Sequence, residues 1–464
     1  MTEKVFSINI LYKVFFFVSL MIFIMRQAIP MHDLFWIVWG LLQLIGVLSI
    51  LKNRKSICFN QIFGQILASK AFIIILTIYI AIDAINLFYG PAPILSISKY
   101  VVFVEGISYI FHAAIICHLC GLTHQKFLDT LYKYIIISAI IASFIALINY
   151  YMPIFHNAAN GQISIIDDYN AFCRYYLFSY IVGFVHICSN KKLTLYKQIV
   201  ELVLYSMLLC VIMLMSTSRR TLLTLAMFTF VMVIYYIIRL YKMTNEKKKM
   251  YSFMKKALIV MIAFFITGIA TVQGSSVLIN AKQYFNEQVN ITESVQGGIE
   301  QTSERIDTDN VWGKRSVIWQ EAINEIKRYN AIELLFGKGA GYATKYYESE
   351  PTETVIEELY GTNELVENSM HTHNYLLQDM MEGGIIKVIF SLVLTVGLGI
   401  KIIINVIKKG DQWFIPLLSL ILIGTNIMIS YSSGFIGDVY YCVNLLILVQ
   451  LELDDRKQIG NVNR

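Results

Sequence analysis

Blocks of about 20 apolar residues recur along most of this 464-residue chain, and they restrict the folds open to it. A helix needs about 20 apolar residues to cross the hydrocarbon core of a bilayer. Apolar residues make up 56% of the chain and charged residues 15%, well below the share of about a quarter that is typical of soluble domains. We therefore expect an all-α polytopic membrane protein with about twelve transmembrane helices, near residues 8–25, 34–51, 68–89, 100–120, 132–151, 171–188, 196–215, 221–241, 257–278, 384–404, 413–432 and 435–451.

Positive charge is distributed unevenly among the short loops that join these spans. Alternate loops hold most of the lysines and arginines of these short loops, including the basic run in 242–256, whereas the other short loops hold only Arg26, Lys99, Arg219 and Arg220. Because cytoplasmic loops carry an excess of Lys and Arg, the first set of loops is predicted to be cytoplasmic, together with both termini. The net charge of +6 follows from this topology and does not argue for nucleic-acid binding.

The longest interruption of the apolar pattern separates three predicted regions. They are a block of nine transmembrane helices at 1–278, one large external loop at 279–383, and a block of three helices with a cytoplasmic tail at 384–464. The loop is too long for a simple connector, so we expect it to fold. Within 315–329 the apolar residues recur at helical spacing and predict a helix with one apolar stripe, formed by Trp319, Ala322, Ile323 and Ile326. This helix could lie on the membrane surface or pack over the helix bundle.

Arg219 and Arg220 lie in a short turn on the side of the membrane that is predicted to face outward. The next helix begins at the same point, so its free amides also favour an anion. Guanidinium groups match phosphate oxygens in bidentate fashion. One interpretation is a phosphate or pyrophosphate clamp, and the other is snorkelling at the interface or an ion pair with the acidic loop.

Three ionisable residues lie at similar depth inside predicted spans, namely Asp83, Glu105 and Arg174. Charges inside a membrane are costly and usually face a cavity or a partner. They indicate either a polar cavity that opens outward or structural pairing, for example of Glu105 with Arg174.

The segment from His371 to Asn374 stands in the loop just before the tenth predicted span. A histidine can accept a proton from a sugar hydroxyl near neutral pH. The alternatives are an exposed loop histidine or a metal-binding pair, although further ligands are not evident at useful spacing. The glycine-rich segment 337–341 lacks the strand and helix of a nucleotide motif, so a turn is the simpler interpretation.

Four short elements occur in an order that resembles the superfamily of O-antigen polymerases and O-antigen ligases. The resemblance covers about residues 160–400. Its elements are Asp168-Tyr169-Asn170-Ala171, then Ser216-Thr217-Ser218-Arg219, then Arg315 with Trp319, Ala322, Gly337, Gly339 and Gly341, and finally His373-Asn374-Tyr375-Leu376 with Glu382-Gly383-Gly384.

This resemblance implies a GT-C-like glycosyltransferase on the outer face of the bacterial plasma membrane. Such enzymes transfer glycans from undecaprenyl diphosphate with inversion, and without a cofactor or a metal. The resemblance implies that Arg219 and Arg315 hold the donor diphosphate and that His373 is the base. We also expect substrate contacts from Arg220, Arg174, Asn374, Asp168 and Glu105. The implied partners are the lipid-linked glycan, membrane lipids, and a chain-length regulator or flippase of the same pathway.

The superfamily contains two kinds of enzyme, which these motifs do not separate. A polymerase joins a lipid-linked glycan to another repeat unit, whereas a ligase moves the finished glycan onto lipid A core or another acceptor. We favour a polymerase, because polymerases are the more divergent and widespread group. A flippase or other transporter is an alternative of another class, since Asp83 and Glu105 lie within spans, but the chain shows no internal repeat. A glycan-binding receptor is a third alternative.

Overall fold

The computed structural model describes most of the chain, and every structural statement below refers to its described residues. The regular structure in this part is helical, with no strand, which confirms the all-α class. The described ranges are 8–54, 70–152, 154–155, 163–166, 168–189, 194–216, 221, 224–225, 227–228, 247–289, 311–349, 352, 354, 371–430 and 437–462.

The α-helices are numbered here in chain order. They are α1 Ile8–Met25, α2 His32–Lys52, α3 Lys70–Tyr89, α4 Ile94–Leu119, α5 His124–Tyr151, α6 Tyr169–Ser189, α7 Leu195–Met215, α8 Lys247–Val289, α9 Val311–Ile326, α10 Ala331–Phe336, α11 Tyr342–Tyr347, α12 Tyr375–Leu392, α13 Leu398–Lys409, α14 Phe414–Ser430 and α15 Val439–Val462. A π-helical turn, Val393–Gly397, joins α12 to α13.

Seven helical segments among the described residues are long and apolar enough to cross a membrane. They are Ile8–Met25, His32–Lys52, Tyr100–Leu119, His124–Tyr151, Tyr169–Ser189, Tyr196–Met215 and Tyr375–Lys409. The protein is therefore an integral membrane protein. The figure of twelve spans and the GT-C-like arrangement stay predictions, and most of the predicted span 221–241 lies outside the described residues.

The chain forms two compact units, each made of two separate stretches of sequence. The first unit contains Met1–Lys52 and Gln125–Thr308, and the second contains Asn53–His124 and Asp309–Arg464. The division predicted from the apolar pattern, at 278 and 383, stays a prediction.

The first unit is organised around α6, which is buried along nearly its whole length. Aromatic contacts and hydrogen bonds hold the neighbouring helices to each other. The rings of Phe17 and Tyr134 stack at 4.9 Å between α1 and α5, and the Tyr175 hydroxyl of α6 donates to the Ser138 hydroxyl of α5 at 2.9 Å. This unit holds Asp168 and Arg174.

The second unit is organised around α12, which packs against α3, α9, α10 and α11. Gly384 interrupts α12 with a φ of 65°. A Cβ at this position would lie 2.4 Å from the carbonyl carbon of Leu335. Glycine is therefore required here for two reasons, namely the left-handed φ and the close approach of α10. The break lies where the tenth span was predicted to begin.

Helix α9 confirms the helix predicted in the loop, and its buried face coincides only in part with the predicted apolar stripe. Ile318 and Ala322 are fully buried against residues of α11 and α12, and Trp319 packs beside them. Ile323, which belongs to the predicted apolar stripe, is 38% exposed. The buried face is centred on Ile318 and Ala322, which are four residues apart and therefore neighbours on the helix surface.

Candidate functional site

The turn that carries His373 has a strained backbone. His373 has a φ of 51°, and within the described ranges no other non-glycine residue has a positive φ. This conformation costs an L-residue about 1 to 2 kcal/mol, so the surrounding contacts must impose it. The His373 and His371 rings lie 4.1 Å apart, and the His373 amide donates to Nδ1 of His371 at 3.2 Å.

A chain of buried hydrogen bonds holds this turn. The amide of Thr372 donates to Oε1 of Gln378 at 3.2 Å, and the Thr372 hydroxyl donates to the carbonyl oxygen of Asn374 at 2.6 Å. Nε2 of Gln378 in turn donates to Oε1 of Glu382 at 2.6 Å. The backbone of Thr372, next to His373, is thus tied through Gln378 to the buried carboxylate of Glu382, one turn further along α12.

Helix α9 approaches the same turn from the loop. Nε1 of Trp319 donates to the carbonyl oxygen of Thr372 at 2.9 Å. Arg315 precedes Trp319 by four residues, so both side chains lie on one face of α9. Arg315 is partly buried. The structure therefore brings the face of α9 that carries Trp319 and Arg315 against Thr372, the residue that precedes His373.

Two residues predicted to contact substrate cap helices. The side-chain oxygen of Asn374 accepts from the amide of Leu376 at 3.0 Å at the start of α12. Asp168, in the first unit, accepts from the amides of Asn170 at 3.0 Å and Ala171 at 3.1 Å. Such capping is a structural role that the sequence analysis missed, although Asn and Asp just before a helix are its usual signal.

The other predicted site residues lie elsewhere in the chain. Arg174 is buried on α6 and donates to Oε1 of Gln27 at 3.3 Å. Glu105 is buried on α4, which packs against α15 in the second unit. Arg219 and Arg220 lie outside the described residues. The substrate-binding roles of these residues stay predictions.

The glycine-rich segment forms a tight structural turn. The amides of Lys338 and Gly339 donate to backbone oxygens of α12, each at 2.9 Å, and the amide of Ala340 donates to the Asn86 oxygen at 3.0 Å. The Gly341 amide donates to Oε1 of Glu382 at 3.1 Å. Because these amides already have acceptors inside the second unit, the turn is not arranged to cradle a phosphate.

A buried cation that the sequence analysis missed joins α3 to α12. Lys387 is 1% exposed and forms ion pairs with Asp83 and, at 3.1 Å, with Asp379. The hydroxyls of Tyr79 and Ser391 donate to Asp379. Asp83 therefore takes part in structural pairing, one of its two predicted alternatives. The sequence did contain a signal for this pairing. Lys387 is a cation inside an apolar span, and a cation in that position needs a partner.

A second charged cluster lies in the loop, outside the spanning segments. Nζ of Lys338 lies 2.8 Å from Oε1 of Glu325, and the Tyr342 hydroxyl donates to the same oxygen at 2.6 Å. Burial raises the pKa of Glu325, but the hydrogen bonds from Lys338 and Tyr342 outweigh it and bring the pKa below its usual value. Burial lowers the pKa of Lys338, but its hydrogen bonds to Glu325 and Tyr342 raise the pKa above its usual value overall.

Within the described ranges, no group of three His, Cys, Asp or Glu side chains is placed to hold a metal ion. His371 and His373 therefore lack further ligands of this kind among the described residues. The arrangement around His373 instead combines a titratable ring, a fixed backbone and an adjacent helix that carries an arginine. These groups suit proton transfer beside an anion.

Comparison with known proteins matches part of the chain to a family. Residues 204–392 match the Wzy_C family, which is described as O-antigen ligase. This stretch includes Arg219, Arg315 and His373, whereas no curated protein matches the chain significantly. Over this stretch the chain is similar to the Wzy_C family, which confirms the predicted resemblance to the superfamily of O-antigen polymerases and O-antigen ligases.

Proposed function

We propose that this protein is a polymerase of surface-polysaccharide repeat units, of O-antigen or capsule, carried on undecaprenyl diphosphate. It acts as an inverting glycosyltransferase on the outer face of the bacterial plasma membrane. One observation carries the proposal: the family match spans the stretch in which α9 and the His373 turn are joined by the Trp319–Thr372 hydrogen bond.

The proposed reaction is a single displacement. The acceptor hydroxyl attacks the anomeric carbon of the donor glycan, the bond from that carbon to the diphosphate oxygen breaks, and a ring nitrogen of His373 takes the hydroxyl proton. Undecaprenyl diphosphate leaves with the bonding electrons. Attack from the side opposite the leaving group inverts the anomeric configuration.

The arginines have the matching electrostatic role in this proposal. Negative charge on the diphosphate grows as the glycosidic bond breaks, so fixed guanidinium groups stabilise the transition state more than the ground state. Arg315 supplies one such group from α9, and Arg219 supplies another. The strained, hydrogen-bonded turn supports the role of His373, because a base must be held within about 3 Å of the proton that it removes.

A ligase is the second candidate, since the matching family is described as O-antigen ligase. The surface polysaccharide of a deletion strain, analysed on a gel, separates the two. A polymerase deletion leaves single repeat units on the acceptor. A ligase deletion leaves lipid-linked polymer that never reaches its acceptor. Unchanged surface polysaccharide, with the wild-type distribution of chain lengths, would contradict both assignments.

A further inference from the structure

The short helix α10 exposes an unusual amount of apolar surface for a segment of the predicted external loop. Ile332 is 72% exposed, Phe336 51% and Leu335 44%. A capping box formed by Asn330 and Glu333 fixes where this helix begins. Contiguous apolar surface of this kind normally marks an interaction site.

Two contacts fix α10 against helices of the second unit. The Tyr89 hydroxyl, at the end of α3, donates to the carbonyl oxygen of Phe336 at 2.6 Å. The backbone of Leu335 lies so close to Gly384 that a Cβ there would be 2.4 Å from it. The apolar side chains of α10 are therefore held at the end of α3 and at the break in α12.

Exposed apolar side chains also occur on these two helices, near the points where α10 contacts them. On α3, next to Tyr89, Phe88 is 92% exposed. On α12, Ile385 directly follows Gly384 and is 41% exposed, and Ile389 is 52% exposed one turn later. Ile385 and Ile389 belong to Tyr375–Lys409, which is apolar enough to cross a membrane. Exposed apolar residues on such a helix face acyl chains.

We propose that α10 is embedded in the membrane leaflet on the side of the loop, where Ile332, Leu335 and Phe336 contact phospholipid acyl chains. Lipid is the occupant because the surface of α10 adjoins residues of α12 that face lipid. Tyr89 suits the boundary, since tyrosines concentrate where the apolar core meets the headgroups. The loop is thus anchored at the depth where a lipid-linked substrate carries its headgroup. This placement does not depend on the enzymatic activity proposed above.

Spin-label accessibility tests this placement directly. Labels are introduced by Ile332→Cys and Phe336→Cys in a background where the native cysteines are replaced by alanine. The full chain is reconstituted in vesicles of phosphatidylethanolamine and phosphatidylglycerol. Ile389→Cys gives a reference for lipid, and Lys345→Cys, whose side chain is 53% exposed on α11, gives a reference for water.

Labels at 332 and 336 are expected to show an oxygen-to-nickel collision ratio several-fold above that at 345 and close to that at 389. A ratio matching position 345 would overturn the proposal, as would spin–spin broadening, which would report that a second labelled copy of the chain covers this surface. If the alanine background does not fold, benzoylphenylalanine at 332 replaces the label. Photocrosslinking to radiolabelled phosphatidylglycerol is then expected at 332 and not at 345, and equal crosslinking at the two positions would overturn the proposal.

Discussion

The side-chain oxygen of Gln378 accepts a hydrogen bond from the backbone amide of Thr372, at 3.2 Å, and thereby fixes the residue that precedes His373. The side-chain nitrogen of Gln378, Nε2, donates to Oε1 of Glu382. Gln378 thus acts on His373 through the backbone, while the carboxylate of Glu382 sets the orientation of the Gln378 amide. This relationship makes the geometry of the proposed base depend on a residue that need not touch substrate.

Gln378→Leu removes the hydrogen bonds of this side chain to the amide and hydroxyl of Thr372 and to Glu382, and it should misplace the His373 ring without removing it. We expect kcat for glycan transfer to fall by about 100-fold, the usual cost of misplacing a reacting group by about 1 Å. KM for the lipid-linked donor should change little, because Gln378 does not contact it. Gln320→Leu, at an exposed glutamine of α9, is the matched control and should retain activity. A Gln378→Leu enzyme with wild-type kcat would show that the turn around His373 keeps its conformation without the hydrogen bonds of Gln378.

Arg315→Lys tests the proposed diphosphate contact. Lysine keeps the charge but loses the planar fork that matches two phosphate oxygens. We expect kcat/KM to fall by about 100-fold, as for other lost transition-state contacts. Arg328→Lys is the control, because the Arg328 side chain, two residues after the end of α9, is 73% exposed. If Arg219→Ala and Arg315→Ala both bind and turn over donor normally, the clamp lies elsewhere, with Arg220 and Arg174 the next residues to test.

Lys387→Met should destabilise the protein strongly, because it leaves Asp83 and Asp379 buried without their cation. Breaking a buried pair on one side costs about 3 to 5 kcal/mol. The triple variant Lys387→Met, Asp83→Asn, Asp379→Asn removes all three charges and should recover much of the lost stability. Thermal unfolding of the detergent-solubilised protein measures both. Equal melting temperatures for Lys387→Met and the wild type would contradict the pairing.

The Glu325–Lys338 pair should stabilise the loop over a defined range of pH. The pKa of Glu325 lies below its usual 4.5 in the folded protein. The contribution of the Glu325 carboxylate to stability is therefore complete above about pH 4.5 and disappears as the pH falls through the lowered pKa. The pKa of Lys338 lies above its usual 10.5, so its contribution is complete below that pH and is lost as the pH rises through the raised pKa.

Glu325→Gln should reduce the protection of the backbone amides of residues 311–349 against hydrogen exchange by about 1 to 3 kcal/mol at neutral pH. This is the usual contribution of a hydrogen bond to a charged group. Hydrogen–deuterium exchange of the full protein measures this protection. The difference from wild type should shrink once the pH falls below the lowered pKa of Glu325. Glu348→Gln breaks the more exposed pair with Lys345 and should change protection by less than about 1 kcal/mol. Equal effects of the two variants would contradict the special role of Glu325.

The sequence predicted the apolar helices and α9 because hydrophobic spacing alone marks them. It also pointed to His373 and Arg315, through chemistry and through the resemblance to a known superfamily. It did not reveal that Gln378 and Glu382 support His373, since the contact between Thr372 and Gln378 depends on a left-handed turn at His373. The pairing of Asp83 with Lys387 joins residues about 300 positions apart in the sequence, and no local sequence pattern indicates that they lie close together in the fold. Asp168 and Asn374 look polar and available in the sequence, yet their oxygens cap helices.

The most direct test of the central claim is a transfer assay with the purified protein and a repeat unit linked to undecaprenyl diphosphate. The wild type should convert this single substrate into a ladder of longer lipid-linked glycans. His373→Ala should give no ladder while binding the donor nearly as well as the wild type does, because the base acts on the acceptor hydroxyl. His371→Ala, which leaves the proposed base in place, should keep measurable activity. Ladder formation by His373→Ala at the wild-type rate would contradict the account.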